Sequence, residues 1–155
     1  MIEFDITTPA GREQVLSKIL PESAKQHHQM LRQLFGAEIE YRRRDENHEF
    51  FENLYWCAYL LFTVGDPIDT ESMWKAKHIN MDTGCGFDVE NMVGAGVDET
   101  VAYLDKQGLR DISRYILSCT CLDSWDHVPI RSWPLFKARN VLRTLFQSDF
   151  SLATR

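Results

Sequence analysis

Cysteine, histidine and carboxylate side chains are the residues of this sequence best equipped for chemistry, and their spacing limits what they can do. Cys119-Thr120-Cys121 leaves one residue between thiols where zinc knuckles use two to four, and no further Cys or His pair follows at ligand spacing, so no zinc site is expected. His27-His28 are adjacent, and neighbours on a helix point about 100° apart, so they cannot serve one metal from one face. With one exposed and one packed they need no function, and His48 stands as isolated as they do. Cys85 lies between Gly84 and Gly86 and becomes a candidate nucleophile only if His78 or His127 lowers its pKa; packing under Phe87 is the plainer account. Asp82-Thr83-Gly84 matches the aspartic protease tripeptide, but that chemistry needs a second copy and a β scaffold. Counted as a calcium loop from Asp82, the third and fifth positions are Gly84 and Gly86, which offer no side-chain oxygen. Gly84-Cys85-Gly86 and Gly94-Ala95-Gly96 follow no strand and precede no Lys-Ser/Thr, so they are not phosphate cradles. Asp82 and Asp88 are a candidate acid and base pair whose spacing alone gives no geometry. The expectation is a protein without catalytic residues, metal or cofactor.

The elements that must position these residues read as helices. The 155 residues, 44% hydrophobic and 26% charged, suit a single globular domain over 1–155 with one core. Thr8-Pro9 starts a first helix that Pro21 stops, and Ser23 starts a second that carries Met30, Leu31, Leu34 and Phe35 and ends at Gly36. The mostly charged stretch 38–47 reads as a solvated connection or the polar start of the next helix. Residues 49–64 are apolar on every helical face and predict a buried central helix, ended by Gly65-Asp66-Pro67. A fourth helix starts at Asp69 or Thr70 and carries Met73, Trp74, Lys77 and His78. Residues 80–96 hold four of the eight glycines and read as a long loop or a short β-hairpin. Two further helices follow, on Val97, Val101 and Leu104 and on Leu109, Ile112 and Ile116, then an irregular crossing over 119–133 and a last helix from Leu135. The fold class expected is mainly α, about seven helices in antiparallel hairpins around the central one.

Charge is polarised along the chain. The net charge is −6, yet residues 128–155 hold five basic residues and one acidic. Residues 66–105 hold nine carboxylates against Lys75 and Lys77. Asp66, Asp69, Glu71, Asp82, Asp88, Glu90, Asp98 and Glu99 are therefore the candidate residues for binding a basic protein partner, since a concentrated charge beside irregular backbone speeds association with its opposite. The alternative is a solvated face that keeps the protein soluble. Nucleic acid is not expected: the overall field repels phosphates, and Arg131, Lys137, Arg139 and Arg143 lack interleaved aromatics for base stacking. The longest apolar run is nine residues, 54–62, against about 20 for a membrane-spanning helix, and no secretory leader opens the sequence, so a cytoplasmic location is expected.

Glu52-Asn53-Leu54-Tyr55-Trp56, Val64-Gly65-Asp66-Pro67, Trp74-Lys75-Ala76-Lys77, Phe87-Asp88, Val93-Gly94-Ala95-Gly96-Val97 and Glu99-Thr100 together resemble small bacterial immunity proteins encoded beside polymorphic toxins, over about residues 50–104. The resemblance implies a cytoplasmic protein that binds and blocks one toxin, shielding its active site, with no catalytic residues of its own. A small hydrolase using the loop carboxylates or Cys85 and a helical scaffold subunit are the other readings the residues leave open. On the ligand spacing above, excess chelator should leave the melting temperature unchanged; a fall of several degrees with stoichiometric metal by elemental analysis would reverse that expectation.

Overall fold

The computed structural model describes residues 4–44 and 49–123. The Thr8 side chain accepts from Gly11 N–H, and Pro9, with no N–H to satisfy, opens α1 (Pro9–Leu16). Pro21 ends the connection that follows and begins a 3-10 turn, Pro21–His27, which runs directly into α2 (His28–Arg44). This second helix extends eight residues past the Gly36 end expected from sequence. Its buried face explains why: Leu31, Leu34, Phe35, Glu38, Ile39 and Arg42 keep helical spacing, so the stripe facing the core continues in charged residues where the apolar ones give out. Gly36 lies on the open side, where an added Cβ would meet nothing.

The third helix, α3 (Glu52–Val64), is buried at every position from Asn53 to Phe62. It packs against α1, α2, the 3-10 turn before α2, and a later turn at Val89–Val93. Gly65 ends it with φ +73°, a left-handed conformation that costs a residue without Cβ little, and its N–H closes on Leu61 O at 3.1 Å. Gly94 seats the Val89–Val93 turn on this end, since a Cβ there would lie 2.4 Å from the carbonyl oxygen of Phe62. Burial pushes the Cys57 thiol well above its ordinary pKa, so it acts as a small core hydrophobe.

Asp66 accepts from Ile68 N–H to open a 3-10 turn at Pro67–Asp69, which leads into α4 (Thr70–Lys77). Residues 80–96 are the main departure from expectation. They contain neither a loop throughout nor a β-hairpin; the described residues include no strand. Instead Asn80 and Thr83 form a capping box, each side chain accepting from the other's backbone N–H, and this nucleates the short α5 (Met81–Gly86) despite its glycines. Val89–Val93 is a 3-10 turn with Val89, Met92 and Val93 buried. Then α6 (Val97–Lys106) and α7 (Arg110–Ser118) pack together across Gly108, and Thr120–Leu122 forms a last 3-10 turn. Seven α-helices lie among the described residues, and the protein is mainly helical. The match to the expected number is not one to one, because α5 was unforeseen and the helix expected from Leu135 lies outside the described residues, as do most of the crossing over 119–133, His48 and His127.

Leu54 and Leu61 are each 1% exposed within α3. Leu54→Ala or Leu61→Ala should cost about 2–5 kcal/mol, read as a lower denaturant midpoint at unchanged slope; a midpoint equal to wild type for either would contradict the packing of α3.

Candidate functional site

Six carboxylates, Asp82 at the start of α5, Asp88 and Glu90 at the Val89–Val93 turn, Asp98 and Glu99 at the start of α6 and Asp123 after the last 3-10 turn, are linked in series through shared neighbours. The links are electrostatic. Asp82 and Asp88 both act on the Tyr55 hydroxyl, pushing its pKa up in addition to burial. Glu90 acts on Asp88, whose carboxyl is raised first by burial and then by this like charge, against the pull of Lys77. Glu90 and Asp123 both act on the Cys121 thiol. Asp123 in turn shares a cleft of about 540 Å³ with Asp98 and Glu99. The result is an acidic belt that runs from Asp82 to Glu99 and ends in that cleft. Asp82, Asp98, Glu99 and Asp123 are exposed, while Asp88 and Glu90 are half-buried.

Local structure fixes the belt's ends. Asp98 and Glu99 occupy the first turn of α6 and Asp82 the first turn of α5, where the N-terminal end of the helix dipole favours negative charge. Lys77 holds the C-terminal side of α5, its Nζ donating to the carbonyls of Gly84 and Phe87 at 2.7 Å each. Phe87 is buried against Tyr55 and Phe35 and anchors the same segment in the core. The cleft walls add apolar area through Val97, Leu122 and Leu117, the last 61% exposed. Carboxylates at the rim of an apolar wall suit a long basic side chain, which covers its methylenes while its charge meets oxygen.

Three of the eight sequence candidates are not on the belt. Asp69 is 2% exposed and belongs to the interior: its Oδ2 lies 2.7 Å from His28 Nε2, and its Oδ1 forms an ion pair with Arg32 Nε at 3.1 Å. Burial raises its pKa and the two partners oppose the rise. It joins α2 to the start of α4 and cannot be part of an exposed face. Glu71 is paired with Lys75 at 3.2 Å, one helical turn on. Asp66 is exposed but faces the Asp69 side, capping its own turn through Ile68 N–H. Asp123 is the member that sequence reasoning missed, since it lies far along the chain from the 66–105 cluster and only the return of α7 brings it to Glu99.

The other chemical candidates stay apart. Cys85 is exposed at the end of α5, and no hydrogen bond links it to a histidine among the described residues. The His78 ring lies against Trp74, tilted by 42° at 3.8 Å between ring centroids, with its Nδ1 2.8 Å from Trp74 O. His27 is exposed and His28 half-buried on Asp69. Among the described residues no group of three or more His, Cys, Asp or Glu side chains has a metal-holding arrangement, and no helix is long and apolar enough to cross a membrane. No family model, curated protein or solved structure matches the chain.

The raised pKa of Asp88 means that the folded state holds its proton more tightly than the unfolded chain does. Its contribution to stability is therefore full below the unfolded value and lost as pH rises through the folded one. A carboxyl carbon titration by NMR should place the Asp88 midpoint above the ordinary aspartate value of about 3.9, and Asp88→Asn should match wild-type stability near pH 3 yet equal or exceed it near pH 7. A midpoint below the ordinary value, or a stability loss confined to neutral pH, would refute the burial of this carboxylate.

Proposed function

We propose that this protein is a protein-binding module that presents the acidic belt and its cleft to a basic partner, and in its most specific form an immunity protein that neutralises a toxin domain in the cytoplasm. The observation that carries the reading is the belt: Asp82, Asp98, Glu99 and Asp123 are exposed, and among the described residues none of them has a cation within ion-pair distance. Exposed acids on ordinary surfaces are commonly interspersed with lysines and arginines. Glu40, Glu71 and Asp111 have such partners, and Asp5, Glu13, Glu22 and Asp66 are exposed without one; the belt differs from these in gathering several unpaired acids around one cleft. A continuous field of one sign orients and accelerates an oppositely charged partner, and the half-apolar cleft supplies a place where its side chain loses water. The resemblance of residues 50–104 to immunity proteins agrees with this, since blocking a basic active site needs a surface of opposite charge and no chemistry. The helical architecture suits such a role by holding Asp82 on the capped α5 and Asp98 and Glu99 on the first turn of α6.

The test is the association rate with the product of the neighbouring gene across a salt series. The on-rate should fall steeply between about 0.01 and 0.15 M salt, where the Debye length shrinks from about 30 to 8 Å, while the off-rate changes less. Asp98→Asn with Glu99→Gln and Asp123→Asn should weaken the complex and flatten the salt dependence. The same loss of three charges at Asp5, Glu13 and Glu22, all exposed on the α1 side, should do neither. Equal effects from both triple variants would reduce the belt to its net charge.

A further inference from the structure

A second cleft, of about 260 Å³, opens between α2 and the start of α4, lined by Gln29, Arg32, Gln33, Phe35, Asp69 and Ser72. Gln29, Arg32 and Gln33 stand at i, i+3 and i+4 and so share one face of α2. Asp69 and Ser72, one turn apart, supply the opposite wall, and the buried Phe35 closes the floor. Asp69 is the fixed point of this arrangement, since it is held from α2 by both His28 and Arg32. Arg32 meets it through Nε alone. No hydrogen bond among the described residues takes up Arg32 Nη1 or Nη2, the amides of Gln29 and Gln33, or the Ser72 hydroxyl. The cleft therefore holds one buried, fully engaged carboxylate ringed by polar groups with capacity to spare.

The charges at this place balance. Arg32 and, when protonated, His28 face Asp69, and the like charge of Asp66 bears on the same carboxyl group. An ion entering the cleft would lose its hydration without meeting a net opposite charge, so an uncharged occupant is favoured. What such an occupant must supply is hydrogen bonding of both kinds. The guanidinium and amide N–H groups donate, the amide carbonyls accept, and the serine hydroxyl does either. A hydroxyl is the uncharged function that answers both roles, and neighbouring hydroxyls on a ring match the paired N–H groups of a guanidinium or an amide. The volume lies below the roughly 300–1,000 Å³ of sites for drug-sized ligands, which limits the occupant to one small ring. We propose that the cleft between α2 and α4 is a binding site for a single uncharged polyhydroxylated ring, a monosaccharide unit. The site lies on the Asp69 side, apart from the acidic belt, and does not depend on the protein-binding reading.

The experiment is an NMR titration of the full chain with glucose, galactose, ribose and N-acetylglucosamine in turn, and with sodium acetate and sodium phosphate at fixed ionic strength as charged counterparts. At least one sugar should move the side-chain amide resonances of Gln29 and Gln33 and the backbone resonance of Ser72 together and saturably. A midpoint on the order of 1–10 mM is expected for one small ring in an open cleft. Gln29→Ala with Gln33→Ala removes two exposed side chains, so the melting temperature should stay at the wild-type value while the midpoint rises by about tenfold, as the loss of two hydrogen bonds predicts. Ser72→Ala, on the facing helix, should weaken binding in the same direction. Uniform, unsaturating drifts with all four sugars would overturn the proposal, because sugars excluded from protein surfaces act without binding. It would equally be overturned by a saturable response that survives in the double variant, or by acetate or phosphate saturating the same resonances where the sugars do not, which would make the cleft an anion site.

Discussion

Glu38 is a carboxylate taken almost wholly out of water, at 2% exposed, and the first half of the structure is arranged around the need to satisfy it. Burial pushes its pKa up, while Arg12, Asn53 and Arg42 pull it back. Arg12 comes from α1, Asn53 from α3 and Arg42 from α2 itself. Arg12 is locked in turn, its Nη1 donating to the carbonyls of Ile6 and Thr7 and its guanidinium lying over the Tyr41 ring. Asn53 Nδ2 reaches the Pro9 carbonyl at 3.0 Å as well as Glu38. A slide of any one helix by a turn would strand a buried charge, which costs several kcal/mol. Apolar packing tolerates small shifts; this network does not, so it sets the register of α1, α2 and α3 while Leu31, Leu34, Leu54 and Leu61 supply the bulk of the buried area.

The same network explains what sequence could and could not reveal. The burial of α3 was legible because every face of 54–62 is apolar, and Gly65 and Gly108 were legible as helix ends because left-handed residues there are commonly glycine. The continuation of α2 beyond Gly36 was not, since a reader of hydrophobic periodicity treats Glu38 and Arg42 as solvent-facing when they carry the buried stripe onward. Likewise Asp69 counts as one more acid in an acidic stretch until tertiary structure folds His28 and Arg32 onto it across about 40 residues of chain. Residues 80–96 misled in the other direction. Four glycines suggested a loop, but a reciprocal cap between Asn80 and Thr83 is worth enough, typically about 1 kcal/mol for the N-cap alone, to start a single-turn helix that buried Phe87 then holds.

Of the candidate site, sequence identified the charge but not its shape. Five of the eight residues singled out lie on the belt, Asp82, Asp98 and Glu99 exposed in the first turns of α5 and α6, and Asp88 and Glu90 half-buried at the Val89–Val93 turn. The other three were diverted by local opportunity: His28 and Arg32 for Asp69, a lysine one turn away for Glu71, an N–H to cap for Asp66. Asp123 entered because α6 and α7 double back, a relation invisible to any window of sequence.

What turns these carboxylates into a directed field is the stiffness of their support. A charge on a mobile loop spreads its potential over many positions and loses orientation, and a partner that docks on it must also order it. Here Lys77 spends its ammonium on two carbonyls of the acidic segment rather than on a carboxylate, so it fixes α5 without forming a direct ion pair with Asp82, Asp88 or Glu90. It still attracts Asp88 at a distance, and burial keeps the half-buried Asp88 harder to ionise than an open aspartate. A basic partner would oppose that effect: a cation brought against the belt lowers the cost of ionising Asp88. At such a contact, covering exposed Leu117 and the cleft walls would remove water that otherwise screens the attraction.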